Sequence, residues 1–276
     1  MSKGVDIKVW GEYACFTRPE FKVERVSYPV MTPSAARGVL EAIYWKPQFR
    51  YRIQRIGVIE QGSQFALLRN EIKSRQNKDA KGIDYAVRLL RDAEAEVKPA
   101  PKGKTKREKA EDTARRQFTN AEEDRAQRTS LVLQNVCYRI IAWIDLRNGE
   151  TNIGKHLDCF RRRAERGECF HRPYLGCREF AADFEPATDD DKVNASLDLS
   201  IGTMLFDTAH IEDSAWHKAH KEDRLEFWRH DGKEAREAKG YAKRLFFPAE
   251  VKAGWLCVPE ERYRELDQLE AGDGTP

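Results

Sequence analysis

Apolar residues recur along the chain at two spacings, every second position and every third or fourth, and each switch between them predicts a boundary between elements. Val5, Ile7 and Val9 alternate with polar residues and lead into an aromatic stretch, which predicts a strand over Val5–Thr17. After a polar connection, Thr32 supplies an N-cap and Pro33 a first helical position. Ala36, Val39, Leu40 and Ile43 then continue a helical stripe until Pro47. This helix carries Tyr44, Trp45 and Lys46 at its C-terminal end. Phe49, Tyr51 and Ile53, then Ile56 and Val58, alternate with a change of phase near Gln54-Arg55, as in a strand with a bulge. Arg50, Arg52 and Arg55 fall on the other face of that strand.

Leu131–Leu146 predicts one long strand, with Val136, Tyr138, Ile140, Ala142 and Ile144 along one side. Thr151 or Asn152 then caps a helix in which Ile153, Leu157, Phe160 and Ala164 form a narrow apolar stripe, and Gly167 stops it. A short strand is expected over Phe180–Phe184, after the Pro173–Gly176 turn. Strand, helix, strand, insertion, strand, helix, strand is the order of the ferredoxin-like split βαβ unit, whose sheet is also the platform of RNA-recognition modules. The expected fold class is α+β. A ferredoxin-like (RRM-like) N-terminal domain covers 1–195, with a long charged insertion at about 73–128. A smaller C-terminal β-sheet region covers 196–276. In the latter, Leu199–Ile211 reads as a strand pair or hairpin around Gly202 and Leu245–Val258 as further strand. His217–Lys243 reads as polar and weakly helical, and the tail from Glu270 as disordered.

With 49 basic and 46 acidic residues the net charge is only +3, so a nucleic-acid partner has to be argued from local clustering. Clustering is present in the second helix, where Lys155, Arg162 and Arg166 fall on one line with Arg161 and Arg163 beside it. A solvated basic face is the competing reading. Between Lys98 and Arg128 ten basic residues face six acidic ones, a loop able to brush a nucleic acid. No apolar run suits a signal peptide or a membrane span, so a cytoplasmic protein without a membrane partner is expected. Six cysteines, mostly within apolar segments, are expected to stay reduced.

Cys159, Cys169, His171 and Cys177 lie close in sequence, but their intervals do not fit a zinc knuckle, and no metal or other cofactor is expected. Glycine-rich phosphate loops, G-x-S-x-G and H-E-x-x-H are absent from the sequence, which removes the commonest hydrolase and nucleotide-triphosphate classes. A Tyr, a Lys and a His in a basic setting suffice for metal-free RNA cleavage, in which the ribose 2′-OH attacks the adjacent phosphate. That chemistry requires the end of the first helix to meet the start of the second. Trp45, Tyr51 and Tyr174 are candidates for base stacking, with a place in the core as the competing and favoured reading for each.

The segments TPSAARGVLEAIYWKP, GKHLDCFRRRAERGECFHRPYLGCREF and LSIGTMLFD resemble the CRISPR-associated RAMP proteins of subtype I-C, the Cas-five family. The resemblance implies metal-independent cleavage of precursor CRISPR RNA at the base of the repeat hairpin. It also implies retention of the 5′ handle within a surveillance complex, with that RNA and the other subunits as partners. Target DNA near its PAM would be a further partner inside the complex. The family's catalytic tyrosine falls on Tyr44, and its Lys-His pair on Lys155 and His156. RNA contacts are expected from Arg50, Arg52, Arg161, Arg162, Arg163, Arg166 and Arg178. The rival reading is a non-catalytic subunit that only caps the 5′ end of the guide.

Overall fold

The computed structural model describes residues 4–21, 24–72, 125–220, 223–231 and 234–271. Met1–Leu67 with Ser130–Pro276 make one compact unit and Leu68–Thr129 a second. In the second, Arg69 and Arg128 both pair with Glu71, at 2.7 and 3.4 Å.

The larger unit is built on strands β1 (Gly4–Ala14), β3 (Phe49–Glu60), β5 (Arg125–Leu146) and β6 (Asp183–Pro186), with helices α1 (Pro33–Ile43) and α2 (Ile153–Arg166). The strands β7 (Leu199–Glu212), β9 (Glu234–Lys252) and β10 (Trp255–Cys257) continue the sheet, in the order β6-β1-β5-β3-β10-β9-β7. The pairs β1–β5, β1–β6 and β3–β5 are all antiparallel. Three strands lie off this path: β2 (Arg25–Val26) and β4 (Ser63–Ile72) pair with β5, and β8 (Arg224–Asp231) with β9.

Alternation along each strand sends one set of side chains under the helices. Ile7 and Val9 of β1, Phe49, Tyr51 and Ile53 of β3, and Tyr138, Ile140 and Ala142 of β5 share one core with Val39, Leu40 and Ile43 of α1 and Phe160 of α2. Burying one such aliphatic or aromatic side chain stabilises the fold by about 1.5–3 kcal/mol. Thr32 caps α1 by accepting from the Ala35 N–H, and Gly167 ends α2 at φ 65°, where a glycine meets no steric cost. Arg37 of α1 donates at 2.8 Å to the buried Asp207 of β7, which ties the C-terminal strands to the first helix.

The bulge expected near Gln54-Arg55 is present as a register shift between Ile53 and Arg55. Beside it, helix α4 (Glu260–Ala271) takes up the Ile53 backbone: its Tyr263 hydroxyl accepts from Ile53 N–H at 2.7 Å and donates to Ile53 C=O at 3.2 Å.

Several boundaries differ from the sequence pattern. Helix α1 stops at Ile43, before Pro47, so Tyr44 lies beyond its end. Strand β5 begins at Arg125, six residues ahead of the expected start; residues 73–124 of the insertion lie outside the described residues. Leu199–Glu212 is one strand rather than a hairpin, because β9 supplies the partner. Among its described residues, the polar segment expected to be weakly helical has the end of the short helix α3 (Ser214–Ala219) and the paired strands β8 and β9. Arg224–Asp231 of β8 pairs with Glu234–Tyr241 of β9, with polar residues tolerated on an exposed surface. Glu270 and Ala271, the first two residues of the expected tail, belong to α4, and residues 272–276 lie outside the described residues. Among the described residues no helix is long and apolar enough to cross a membrane.

Candidate active site

The end of α1 and the start of α2 meet, as the chemistry requires. Tyr44 turns extended (φ −153°, ψ 123°), which swings its ring inward, to stack on Phe49 with centroids 5.6 Å apart. The last carbonyls of α1, which have no partner within the helix, are satisfied from three directions. Phe170 N–H donates to Ala42 O, Arg163 to Ile43 O at 2.7 Å, and the Tyr51 hydroxyl to Tyr44 O at 2.7 Å. Tyr44 is therefore held by β3, α2 and the segment after α2.

His156 lies four residues before Phe160 and eight before Ala164, so it shares the buried stripe of α2 and is only 1% exposed. Its Nδ1 is 3.0 Å from the Tyr44 hydroxyl. Its Nε2, on the opposite side of the ring, is 3.5 Å from Glu150 Oε2 and makes no hydrogen bond. Lys155, one position round the helix, points outward with 49% of its side chain exposed and pairs with Glu150 Oε2. Glu150 Oε1 also accepts from the N–H groups of Thr151 (3.0 Å) and Asn152 (2.9 Å). Asn152 caps α2 by accepting from the Lys155 N–H at 3.2 Å.

These contacts set the protonation states. Lys155 first, and then the Asn152 N–H, hold the Glu150 carboxyl down at about 2. Burial, followed by the charge of Lys155, pushes His156 below its ordinary value, while Glu150 pulls the other way. Burial, and then the neighbouring Cys159, push the Tyr44 phenol up to about 12. At neutral pH the imidazole is uncharged and the phenol keeps its proton.

The seven arginines divide. Arg161, Arg162, Arg166 and Arg178 are exposed. Arg163 is partly buried, with its guanidinium 5.2 Å over the Tyr44 ring. Arg50 pairs with Glu270 at 2.8 Å, and Arg52 with Asp145 at 2.6 Å and Asp267 at 2.7 Å, on the face of β3 opposite Phe49 and Tyr51. Of the three aromatic candidates, Trp45 is exposed, Tyr51 is buried and Tyr174 is intermediate. Trp143, Trp228 and Phe170 are exposed aromatics not singled out from the sequence; Phe170 immediately follows the basic helix and is 82% exposed. Glu150 was also missed, although an acid two positions ahead of the N-cap of a basic helix is a visible signal. Among the described residues no group of three or more His, Cys, Asp and Glu is arranged to hold a metal ion.

A family model described as CRISPR-associated protein (Cas_Cas5) matches residues 4–259. The chain is 45% identical over 267 residues to a protein of Thermus thermophilus named CRISPR pre-crRNA endoribonuclease Cas5d, covering 96% of each chain. A protein of the same name from Mannheimia succiniciproducens is 37% identical over 216 residues, covering 75% of this chain and 85% of the relative. A crystal structure of a CRISPR-associated protein shares the fold at a TM-score of 0.53 and 15% identity, covering 95% of this chain and 94% of that one. On a match spanning nearly all of its length, this chain belongs to the Cas5 family of CRISPR-associated proteins.

Proposed function

We propose that this protein cleaves precursor CRISPR RNA at the repeat hairpin without a metal and keeps the 5′ handle as a cytoplasmic subunit of a surveillance complex. The names of the relatives support the substrate and the reaction. The observation that carries the site is the 3.0 Å hydrogen bond between Tyr44 and His156, which joins residues 112 apart in sequence beside Lys155.

His156 is the base. It is uncharged at neutral pH, and its Nε2 faces the side on which Lys155 lies. Tyr44 sits behind the ring at Nδ1, where it fixes the orientation of the imidazole and, by accepting from Nδ1–H, the tautomer that leaves Nε2 free. The 2′-OH gives its proton to Nε2 as O2′ bonds to phosphorus. The P–O5′ bond breaks, and O5′ takes a proton from the Lys155 ammonium. The same cation stabilises the anionic transition state, and the products are a 2′,3′-cyclic phosphate and a 5′-OH.

Arg161, Arg162, Arg166 and Arg178 hold the hairpin backbone; Arg50, Arg52 and Arg163 join them only where RNA displaces their present partners. The strand order β6-β1-β5-β3 runs fourth, first, third, second with a helix in each crossover, which supports a ferredoxin-like reading of residues 1–195, with 196–276 as an added β-region.

The test is cleavage of a labelled repeat hairpin in excess EDTA, beside a copy with 2′-hydrogen at the cut. Cutting of the first alone is expected. Tight binding with neither cut would replace this reading by the non-catalytic cap.

A further inference from the structure

Glu150 holds a place suited to a different anion. Its carboxylate is met by two backbone N–H groups at the mouth of a 14-residue helix, by the Lys155 ammonium, and at 3.5 Å by the Nε2 of His156. This donor set fits a phosphodiester, which carries the same single charge on two terminal oxygens. Nε2 is buried, faces this point and is left without a hydrogen bond, because both carboxylate oxygens are turned to other donors. A tetrahedral phosphodiester with its neighbouring 2′-OH has an additional group to offer there.

The resident carboxylate also opposes the chemistry. Lys155 cannot neutralise Glu150 and stabilise a second anion at once. A carboxylate opposite Nε2 favours a proton on that nitrogen, against the tautomer that Tyr44 supports at Nδ1, and the form it favours cannot accept a proton from the 2′-OH. We infer that Glu150 stands in for the scissile phosphate while RNA is absent, and that the phosphodiester displaces it and takes over the Thr151 and Asn152 N–H groups and Lys155. The inference rests on the active-site assignment proposed above. It makes cutting conditional: RNA held only loosely along α2 does not evict Glu150, and the site stays closed. The occupant lowers the apparent affinity for substrate by the fraction of time the site is free.

The experiment compares wild type, Glu150→Gln and Glu150→Ala as full chains. Each is titrated with a non-cleavable 2′-deoxy repeat hairpin, and with the same hairpin bearing an uncharged methylphosphonate at the cut. Both variants are expected to bind the phosphate form about tenfold more tightly than wild type, to bind the methylphosphonate form no better, and to show a higher kcat/KM on cleavable RNA. An equal gain on both hairpins would mean only that one negative charge had been removed, and would overturn the inference. So would a fall in kcat with KM unchanged, which would make Glu150 a positioning residue, or no change at all. Wild-type cleavage rates in His156→Ala would instead overturn the active-site assignment, a result the binding comparison cannot produce.

Discussion

Helix α2 and strand β3 both carry arginines on one side and core residues on the other, yet they use the charge differently. On α2 the guanidinium groups of Arg161, Arg162 and Arg166 reach solvent, and their carboxylate contacts are long, such as Arg161–Asp158 at 3.8 Å and Arg166–Glu168 at 3.7 Å. On β3, Arg50 and Arg52 are mostly covered and pair closely with Asp145, Asp267 and Glu270. The same side chain is presented to solvent in one setting and fastens α4 to the sheet in the other. What separates them is the neighbourhood: α2 faces solvent beyond its last polar residue, whereas β3 is overlaid by an acidic helix.

The inner side of α2 should give the largest effect. His156→Ala is expected to slow cleavage by about 10²–10⁴-fold in single turnover while hairpin affinity stays near wild type. In wild type, the acid side of the kcat/KM profile should lie below the ordinary histidine value of about 6.5. Burial and the charges of Lys155 and Lys46 depress His156 against the pull of Glu150, so the base stays competent to lower pH and is lost only as pH falls through that depressed value. An acid side above 6.5 would break the assignment of His156 as base.

The outer side comes next. Replacing Arg161, Arg162 and Arg166 together by Ala should weaken hairpin binding and reduce the slope of log K against log salt by about 2–3, as three phosphate contacts predict. Arg52→Ala should do the reverse, lowering unfolding stability by about 1–2 kcal/mol with little change in the salt slope. If the Arg52 variant lost as much salt dependence as the α2 variant, the contrast between the two elements would collapse.

Much of this was legible in the residues. Thr32-Pro33 marked the start of α1, Thr151 or Asn152 and Gly167 the two ends of α2, and the phase change at Gln54-Arg55 the bulge; the cap is Asn152. The candidate site came through the family resemblance, which picked out Tyr44, Lys155 and His156; a tyrosine at the end of one helix and a Lys-His pair opening another are features that periodicity alone does not single out. What periodicity missed was settled by distant partners. Tyr44 leaves α1 early because β3 and α2 supply donors for the freed carbonyls. The β8–β9 strands form from a polar sequence because each completes the other's ladder. The pairing of Arg50 and Arg52 depends on Asp145 and on acids more than 200 residues away, which no window around β3 contains.

The hydroxyl of Tyr263 that closes the bulge at Ile53 spans 210 residues of sequence. A chain synthesised from its N-terminus has made β1, β3 and both site helices long before this residue emerges, and until then the Ile53 N–H and C=O can bond only to water. Such distant pairing slows folding and leaves strand edges exposed meanwhile. The nascent protein thus carries the candidate residues Tyr44, Lys155 and His156 early but gains a finished sheet beneath them only once α4 has emerged, so removal of α4 reaches a site that the helix never touches.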